Sequence, residues 1–236
     1  MKNITLLALD TSTEACSVAL WHKGEKTYLD ELAQRTHTKR ILPMIDELLV
    51  NSGINLKQVD ALAFGRGPGS FTGVRVGAGI AQGLAFGANL PVIAVSNLTA
   101  MAQAAFELHQ AENVAATIDA RMNEVYFSQV KREKVQSVFG EFFQWSPVIE
   151  EQVCQPEKVL EQFSDLTAYR VGTGWAAYPQ FKDSGLEGSD IILPSAQYML
   201  ELALTDYAQN KVISALEIEP VYLRNEVTWK KLPGRE

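Results

Sequence analysis

The chain has little cysteine and little histidine: its 236 residues include two cysteines and three histidines. Cys16 and Cys154 are far apart and form no Cys-x-x-Cys pair. This argues against a thiolate zinc site and a disulfide framework, and it favours the reducing cytoplasm. The histidines form no His-x-x-x-His or His-Glu-x-x-His pair, so a histidine metal site on a helix is not supported.

Long apolar runs are also missing. The most apolar stretch, residues 76–88, is short, rich in glycine and interrupted by Gln82, so we expect no membrane span. With 47% hydrophobic and 9% aromatic residues, the chain has enough apolar material for a folded core. Its length predicts one large domain or two small ones.

Positive charge is scarce in the second half of the chain. Residues 1–110 carry nine basic and nine acidic side chains, whereas residues 111–225 carry nine basic and seventeen acidic ones. Nucleic-acid affinity comes largely from lysines and arginines that displace counterions. We therefore expect that, if nucleic acid is involved, something other than this chain holds most of it.

The order of predicted elements is similar in the two halves. In the first half, strands are predicted at 4–9, 16–21, 26–32, 59–64 and 91–95, and helices at 41–49, 72–87 and 96–109. In the second half, strands are predicted at 114–119, 125–130, between 135 and 143, and at 168–171, and helices at 156–163 and 195–209. This order predicts two α/β lobes. We assign residues 1–106 to an N-terminal lobe against which the helix at 195–210 packs, residues 107–194 to a smaller lobe, and residues 211–236 to a tail.

Half of the sixteen glycines lie between residues 65 and 87. A glycine-rich loop between a strand and a helix can present N–H groups to a phosphate, although this loop has neither the P-loop sequence nor Gly-x-Gly-x-x-Gly. The other interpretation is a helix built for close packing, because small residues recur every four positions. That stripe consists of Gly73, Gly77, Ala81 and Ala85.

Two acid-headed turns, at residues 10–12 and 119–121, occupy corresponding places in the two lobes. Paired turns of this kind are the phosphate-binding layout of actin-like sugar kinases and heat-shock ATPases, which place glycine there so that the backbone can approach the phosphates. Neither turn has a glycine here. We interpret Asp10, Thr11, Ser12, Asp119 and Arg121 as degenerate phosphate turns, with ordinary β-turns as the alternative.

Four segments carry a resemblance to a known family. They are DTS at 10–12, GPGSFTGVR at 67–75, DARMNEVY at 119–126 and EPVYLR at 219–224. With these motifs the chain resembles the TsaB (YeaZ) family, the bacterial partner subunit in threonylcarbamoyladenosine modification of tRNA. The resemblance implies an α/β, actin-like (ASKHA) two-lobed fold in which each lobe is a mixed sheet with flanking helices. It also implies a complex with the catalytic paralogue TsaD and the ATPase TsaE, which transfers a threonylcarbamoyl group to the adenosine beside the anticodon.

The chain departs from the catalytic paralogue at the metal site of that enzyme. The paralogue carries His-x-x-x-His after a Pro-Val-x-x-Val strand, and here Asn97 and Met101 occupy the two histidine positions. Asn is a poor metal donor and Met a soft one. We therefore expect a non-catalytic subunit with no catalytic residue, metal or cofactor of its own, and nucleotide bound at most weakly within the complex.

The resemblance makes a helical partner surface the expected site. Two helices are predicted to face the TsaD-like paralogue, or a second copy of the chain in its absence, while a TsaE-like ATPase joins the complex. The predicted interface residues are Gly73, Val74, Gly77, Ile80, Ala81, Leu84, Ile41, Ile45 and Leu48. The alternatives are an actin-like small-molecule kinase and a metallopeptidase-like hydrolase.

Overall fold

A computed structural model describes residues 4–33, 36–137 and 140–224 of the chain. The first half of the chain forms β1 (Leu6–Asp10), β2 (Ala15–His22), β3 (Glu25–Leu32), α1 (His37–Asn51), β4 (Ala61–Gly65), α2 (Phe71–Ala88), β5 (Val92–Val95) and α3 (Asn97–His109). The second half forms β6 (Asn113–Arg121), β7 (Glu124–Ser137), β8 (Gly140–Cys154), α4 (Pro156–Gln162), β9 (Tyr169–Val171), α5 (Gly174–Ala177), α6 (Pro179–Asp183) and α7 (Ala196–Ala208). Short 3₁₀ turns occupy Leu56–Gln58 and Ala215–Glu217.

The first sheet has the strand order β3-β2-β1-β4-β5 and helices on both faces. Every residue of β1 is buried, because successive side chains point to opposite, covered faces of the sheet. Leu7 and Leu9 pack with α1 and α2, whereas Leu6 and Ala8 pack with α7. The C-terminal helix α7 therefore lies on the first sheet although it follows the second in sequence.

The second sheet has the strand order β8-β7-β6-β9, with β9 parallel to β6 and the other pairs antiparallel. Helix α3 covers one face. The other face is covered by an aromatic cluster that includes Phe127, Trp175 and Phe181. Because α3 also contacts α7, it lies between the two sheets, and the predicted boundary at residue 106 falls inside it.

The prediction of a separate strand between residues 135 and 143 is wrong. β7 continues to Ser137, β8 begins at Gly140, and Val135 pairs with Phe142 across the hairpin. Val135 and Phe142, two of the apolar residues that predicted one strand, therefore belong to the facing ends of two strands. Residues 138–139, and residues 225–236 of the predicted tail, lie outside the described residues. Among the residues described here, no helix is long and apolar enough to cross a membrane.

Candidate functional site

The two predicted turns meet at one cleft between the lobes. The cleft has a volume of about 630 Å³, which is within the range of small-molecule sites. Its walls come from the first turn, the N-terminal end of α2, the β6–β7 turn and the segments that follow β9 and α7. The polar side chains that line it are Ser12, Thr13, Glu14, Ser70, Asp119, Arg121, Tyr126, Thr173 and Arg224.

In the first turn, the carboxylate of Asp10 is completely buried and hydrogen-bonded to its own lobe. It accepts hydrogen bonds from the Ser12 hydroxyl at 3.0 Å and from the Asn97 amide at 2.9 Å. Burial raises the pKa of Asp10 to about 6, and these hydrogen bonds act in the opposite direction. Gly65 makes room for the carboxylate, because a Cβ at Gly65 would overlap Asp10 Oδ1. Asp10 is thus part of the core and does not line the cleft.

Thr11 fastens the first turn to α2. Its hydroxyl donates to the carbonyl oxygen of Gly73 at 2.7 Å. The two backbones are so close that a Cβ at Gly73 would overlap the Thr11 carbonyl oxygen, and one at Gly77 would lie 2.9 Å from Thr11 Oγ1. The small-residue stripe of α2 therefore packs on the turn in its own lobe.

The prediction that this stripe and α1 form a partner interface is wrong for seven of its nine residues. They are buried within the first lobe, where a partner has no access to them, and the core there supplies their contacts. These residues are Gly73, Val74, Gly77, Ala81, Ile41, Ile45 and Leu48. Ile80 and Leu84 are half-buried against the same core, and for these two the interface remains a prediction.

The opposite face of α2 is open. Gly79, Gly83 and Gly87 are exposed, and a Cβ on any of them would have nothing within 4 Å. On the same face of the helix, Phe86 is 72% exposed. We missed this face in the sequence, although its glycines recur every four residues, as do those of the buried stripe.

In the second turn, Asp119 is also engaged by its own lobe. Asp119 Oδ1 accepts hydrogen bonds from the Arg121 backbone N–H and from the Tyr178 hydroxyl, each at 2.9 Å. The Arg121 guanidinium lies 3.0 Å from Asp119 Oδ2, and the Asp119 backbone N–H donates to the Thr173 hydroxyl at 3.1 Å. The acid and the arginine of this turn neutralise each other at the wall of the cleft.

The residues at the paralogue's histidine positions do not fit a metal ion. The amide oxygen of Asn97 accepts from the Gly67 N–H at 2.9 Å, while its nitrogen donates to Asp10 and Ser12. Met101 is fully buried in the apolar core between α3 and the second sheet. In the described part of the chain, no group of three or more His, Cys, Asp and Glu is placed to hold a metal.

Comparison with known proteins identifies relatives whose names agree with one another. The family profile described as "TsaD: tRNA N6-adenosine threonylcarbamoyltransferase" matches residues 26–217. The Haemophilus influenzae "tRNA threonylcarbamoyladenosine biosynthesis protein TsaB" is 78% identical over 236 residues, with 100% of both chains covered. The Escherichia coli protein of the same name is 50% identical, over 98% of this chain and 99% of its own.

A solved structure agrees with these relatives. The Pseudomonas aeruginosa structure of "an uncharacterized protein with similarity to peptidase YEAZ" matches with a TM-score of 0.83 and 42% identity, covering 94% of this chain and 100% of that one. Together with the two mixed sheets and their flanking helices, these matches confirm the predicted actin-like, two-lobed α/β fold.

Proposed function

The chain belongs to the TsaB family of tRNA threonylcarbamoyladenosine biosynthesis proteins, and on this basis we propose that it is a non-catalytic subunit in the threonylcarbamoylation of tRNA. The modified base is the adenosine next to the anticodon. The observation that carries this proposal is the set of hydrogen bonds made by Asn97. Its side-chain amide bonds to Gly67, Asp10 and Ser12 of the first lobe. A metal-binding histidine of the paralogue is thus replaced by a residue that holds the first lobe together.

The cleft supports the same proposal. A phosphate-binding turn needs free backbone N–H groups and room for the anion. Here the Thr11 hydroxyl donates a hydrogen bond to α2, the Asp10 carboxylate is buried, and the Arg121 guanidinium pairs with Asp119 at 3.0 Å. We infer that nucleotide binds this subunit at most weakly, and that the catalytic chemistry belongs to a TsaD-type paralogue.

We place the docking site for that paralogue on the open face of α2, around Gly79, Gly83 and Phe86. A glycine inside a helix costs about 1 kcal/mol relative to alanine. A Cβ at Gly79 or Gly83 would have nothing within 4 Å. Packing within the lobe therefore does not require glycine at these two positions. Glycine permits the closest approach of a second helix backbone, and exposed Phe86 adds apolar surface on the same face.

The remaining partners follow from the same assignment. In the absence of the paralogue, we expect two copies of the chain to associate through this α2 face. A TsaE-type ATPase binds the assembled complex. The tRNA also binds the complex and not this chain alone. The reason is that residues 111–225 carry seventeen acidic and nine basic side chains, which disfavours direct binding of nucleic acid.

The decisive experiment is Gly83→Leu, with Lys182→Leu as a matched control that adds a leucine on α6 of the other lobe. We expect both variants to fold, with the unfolding temperature of Gly83→Leu about 2–4 °C above that of the parent chain, because leucine is a better helix former than glycine. Overpacking of about 1–3 kcal/mol at a helix–helix contact weakens binding of the purified paralogue about 5- to 150-fold in Gly83→Leu alone. Light scattering of the isolated variants gives the same comparison for the homodimer.

Three outcomes would contradict the proposal. Normal binding of the paralogue by Gly83→Leu would remove the docking surface from α2. Product formed by the isolated chain from tRNA and threonylcarbamoyl-adenylate with added metal would show that it is an enzyme, and tight binding with turnover of ATP–Mg in calorimetry would favour the small-molecule kinase.

A further inference from the structure

The last described residues of the chain cross from one lobe to the other at the mouth of the cleft. After the 3₁₀ turn Ala215–Glu217 the chain runs along the first lobe, where the Val221 N–H donates to the Arg66 carbonyl oxygen at 3.0 Å. A Cβ at Gly67 would be in ordinary van der Waals contact with the Val221 carbonyl oxygen, at 3.4 Å. Val221 is therefore seated on the loop that precedes α2.

Tyr222 fastens this segment to the first turn of α2. Its hydroxyl accepts a hydrogen bond from Arg75 Nε at 2.7 Å. The Arg75 guanidinium lies 3.7 Å from the centre of the Phe71 ring and 5.5 Å from that of Tyr222, and the two rings are 6.0 Å apart. A cation between two aromatic rings is stabilised by both, so Tyr222 is held by a ring contact and a hydrogen bond.

Two residues later, Arg224 reaches the second lobe. Its Nη2 donates to the carbonyl oxygen of Ala120 at 3.1 Å and to that of Arg121 at 3.4 Å. The same nitrogen pairs with the carboxylate of Glu124, and Nη1 lies 3.6 Å from the sulfur of Met122. The guanidinium thus binds both sides of the β6–β7 turn with charge-assisted hydrogen bonds, which are stronger than neutral ones.

The turn that Arg224 binds has an uncommon backbone. Arg121, Met122 and Asn123 all have positive φ angles, of 62°, 58° and 59°. This left-handed conformation is disfavoured for residues other than glycine, so contacts from outside the turn help to maintain it. Arg224 supplies such contacts at the first two carbonyl oxygens of the turn.

We propose that residues 221–224 are an interlobe strap, which holds the two lobes at one angle through the chain's own contacts. Arg224 is itself part of the cleft wall, so the strap narrows the cleft while it connects its two sides. In hinged two-lobed proteins a ligand between the lobes can hold them together; here residues 221–224 of the chain itself connect the two sides. This inference does not depend on the proposed function, since it concerns the isolated chain.

A second connection between the lobes must be separated from the strap. Arg66 pairs with Glu151 of β8 at 2.9 Å, and the Ser96 hydroxyl also donates to Glu151. Glu151 reaches the first lobe from a bulge in β8, where the pairing register with β7 shifts. The test therefore needs variants of both connections.

The experiment measures the distance between spin labels on the two lobes of the full-length chain. Labels at Glu47→Cys on α1 and Glu161→Cys on α4 occupy exposed positions, with the buried Cys16 and Cys154 replaced in all samples. Arg224→Ala is compared with Arg170→Ala. That control also loses an arginine bound to carbonyl oxygens, here those of Glu187, Leu166 and Ala168, but all of them belong to the second lobe.

We expect Arg224→Ala to widen the distance distribution and to raise the population of open arrangements about 10- to 100-fold. Arg170→Ala should leave the distribution unchanged, and circular dichroism verifies that each variant is folded. An unchanged distribution in Arg224→Ala overturns the proposal. So does widening only in the double variant Glu151→Gln/Arg224→Ala, because the Arg66–Glu151 pair would then suffice to hold the lobes. If Arg224→Ala does not fold, Tyr222→Ala, which releases the strap from α2 alone, decides between the same outcomes.

Discussion

Alanine substitutions on the two faces of α2 test whether the helix sits on the first turn. Gly73 and Gly79 belong to the same helix, but a Cβ at Gly73 would overlap the Thr11 carbonyl oxygen, whereas one at Gly79 would meet nothing within 4 Å. Gly79→Ala should raise the free energy of unfolding by about 1 kcal/mol, the difference in helix propensity. For a chain of this length, that raises the unfolding temperature by about 2–4 °C.

Gly73→Ala should have the opposite sign. The new methyl group must push α2 away from the turn, and overpacking of this kind costs about 1–3 kcal/mol. The displacement also strains the hydrogen bond from Thr11 Oγ1 to the Gly73 carbonyl, which measures 2.7 Å and contributes about 1 kcal/mol. Against a propensity gain of at most about 1 kcal/mol, the net loss is about 1–3 kcal/mol.

The assay is urea unfolding followed by circular dichroism, with the parent chain and both variants at one pH. A difference of about 2–4 kcal/mol between the two variants is expected. If Gly73→Ala stabilises the protein as much as Gly79→Ala does, the small-residue stripe does not pack on the turn, and the assignment of the open face as the docking site loses its basis.

Three further predictions concern charge and chemistry. Because the pKa of Asp10 is raised from 3.8 to about 6 in the folded chain, protonation favours the folded state, and this contribution to stability is lost as the pH rises through 6. Lowering the pH from 7.5 to 5.5 should therefore add about 1 kcal/mol to the free energy of unfolding through this group. Asp10→Asn should remove that increment in paired urea titrations, and an equal increment in both proteins would contradict the assignment. The isolated chain should not hydrolyse ATP at a useful rate or modify tRNA, since its phosphate turns are closed by internal hydrogen bonds; single-turnover assays with metal and threonylcarbamoyl-adenylate check this. Filter binding of tRNA to the isolated chain at physiological salt should be weak, and a sub-micromolar constant would refute the charge argument, because non-specific binding is usually about 1–100 μM.

Local sequence patterns determined most of the elements. Helices begin where a serine can accept a hydrogen bond from the first turn, as Ser70, Ser96 and Ser195 do. These signals could be read from the sequence because the cap and the N–H groups it binds are only two or three residues apart. The motifs of the family resemblance are likewise short segments, so the resemblance, and with it the fold, could be stated from the sequence.

The hairpin of β7 and β8 shows where local patterns were insufficient. Apolar residues between 135 and 143 predict one strand, but Val135 and Phe142 lie opposite each other at the facing ends of two paired strands. Which residues form the turn depends on the register of pairing along the whole hairpin. That register is shifted by bulges opposite Phe127 and Gln129, and short-range alternation does not encode such shifts.

Tertiary structure alone decided which face of α2 is buried and which is exposed. The sequence determined that α2 is a helix with small residues every four positions on two faces, at 73, 77, 81 and 85 and at 79, 83 and 87. Both stripes allow close approach, and nothing local distinguishes the covered one from the open one. The choice is made by Thr11, more than sixty residues away, which contacts Gly73 and Gly77. Because that contact exists only after β1 and β4 pair, burial of the first stripe and exposure of the second are properties of the folded chain.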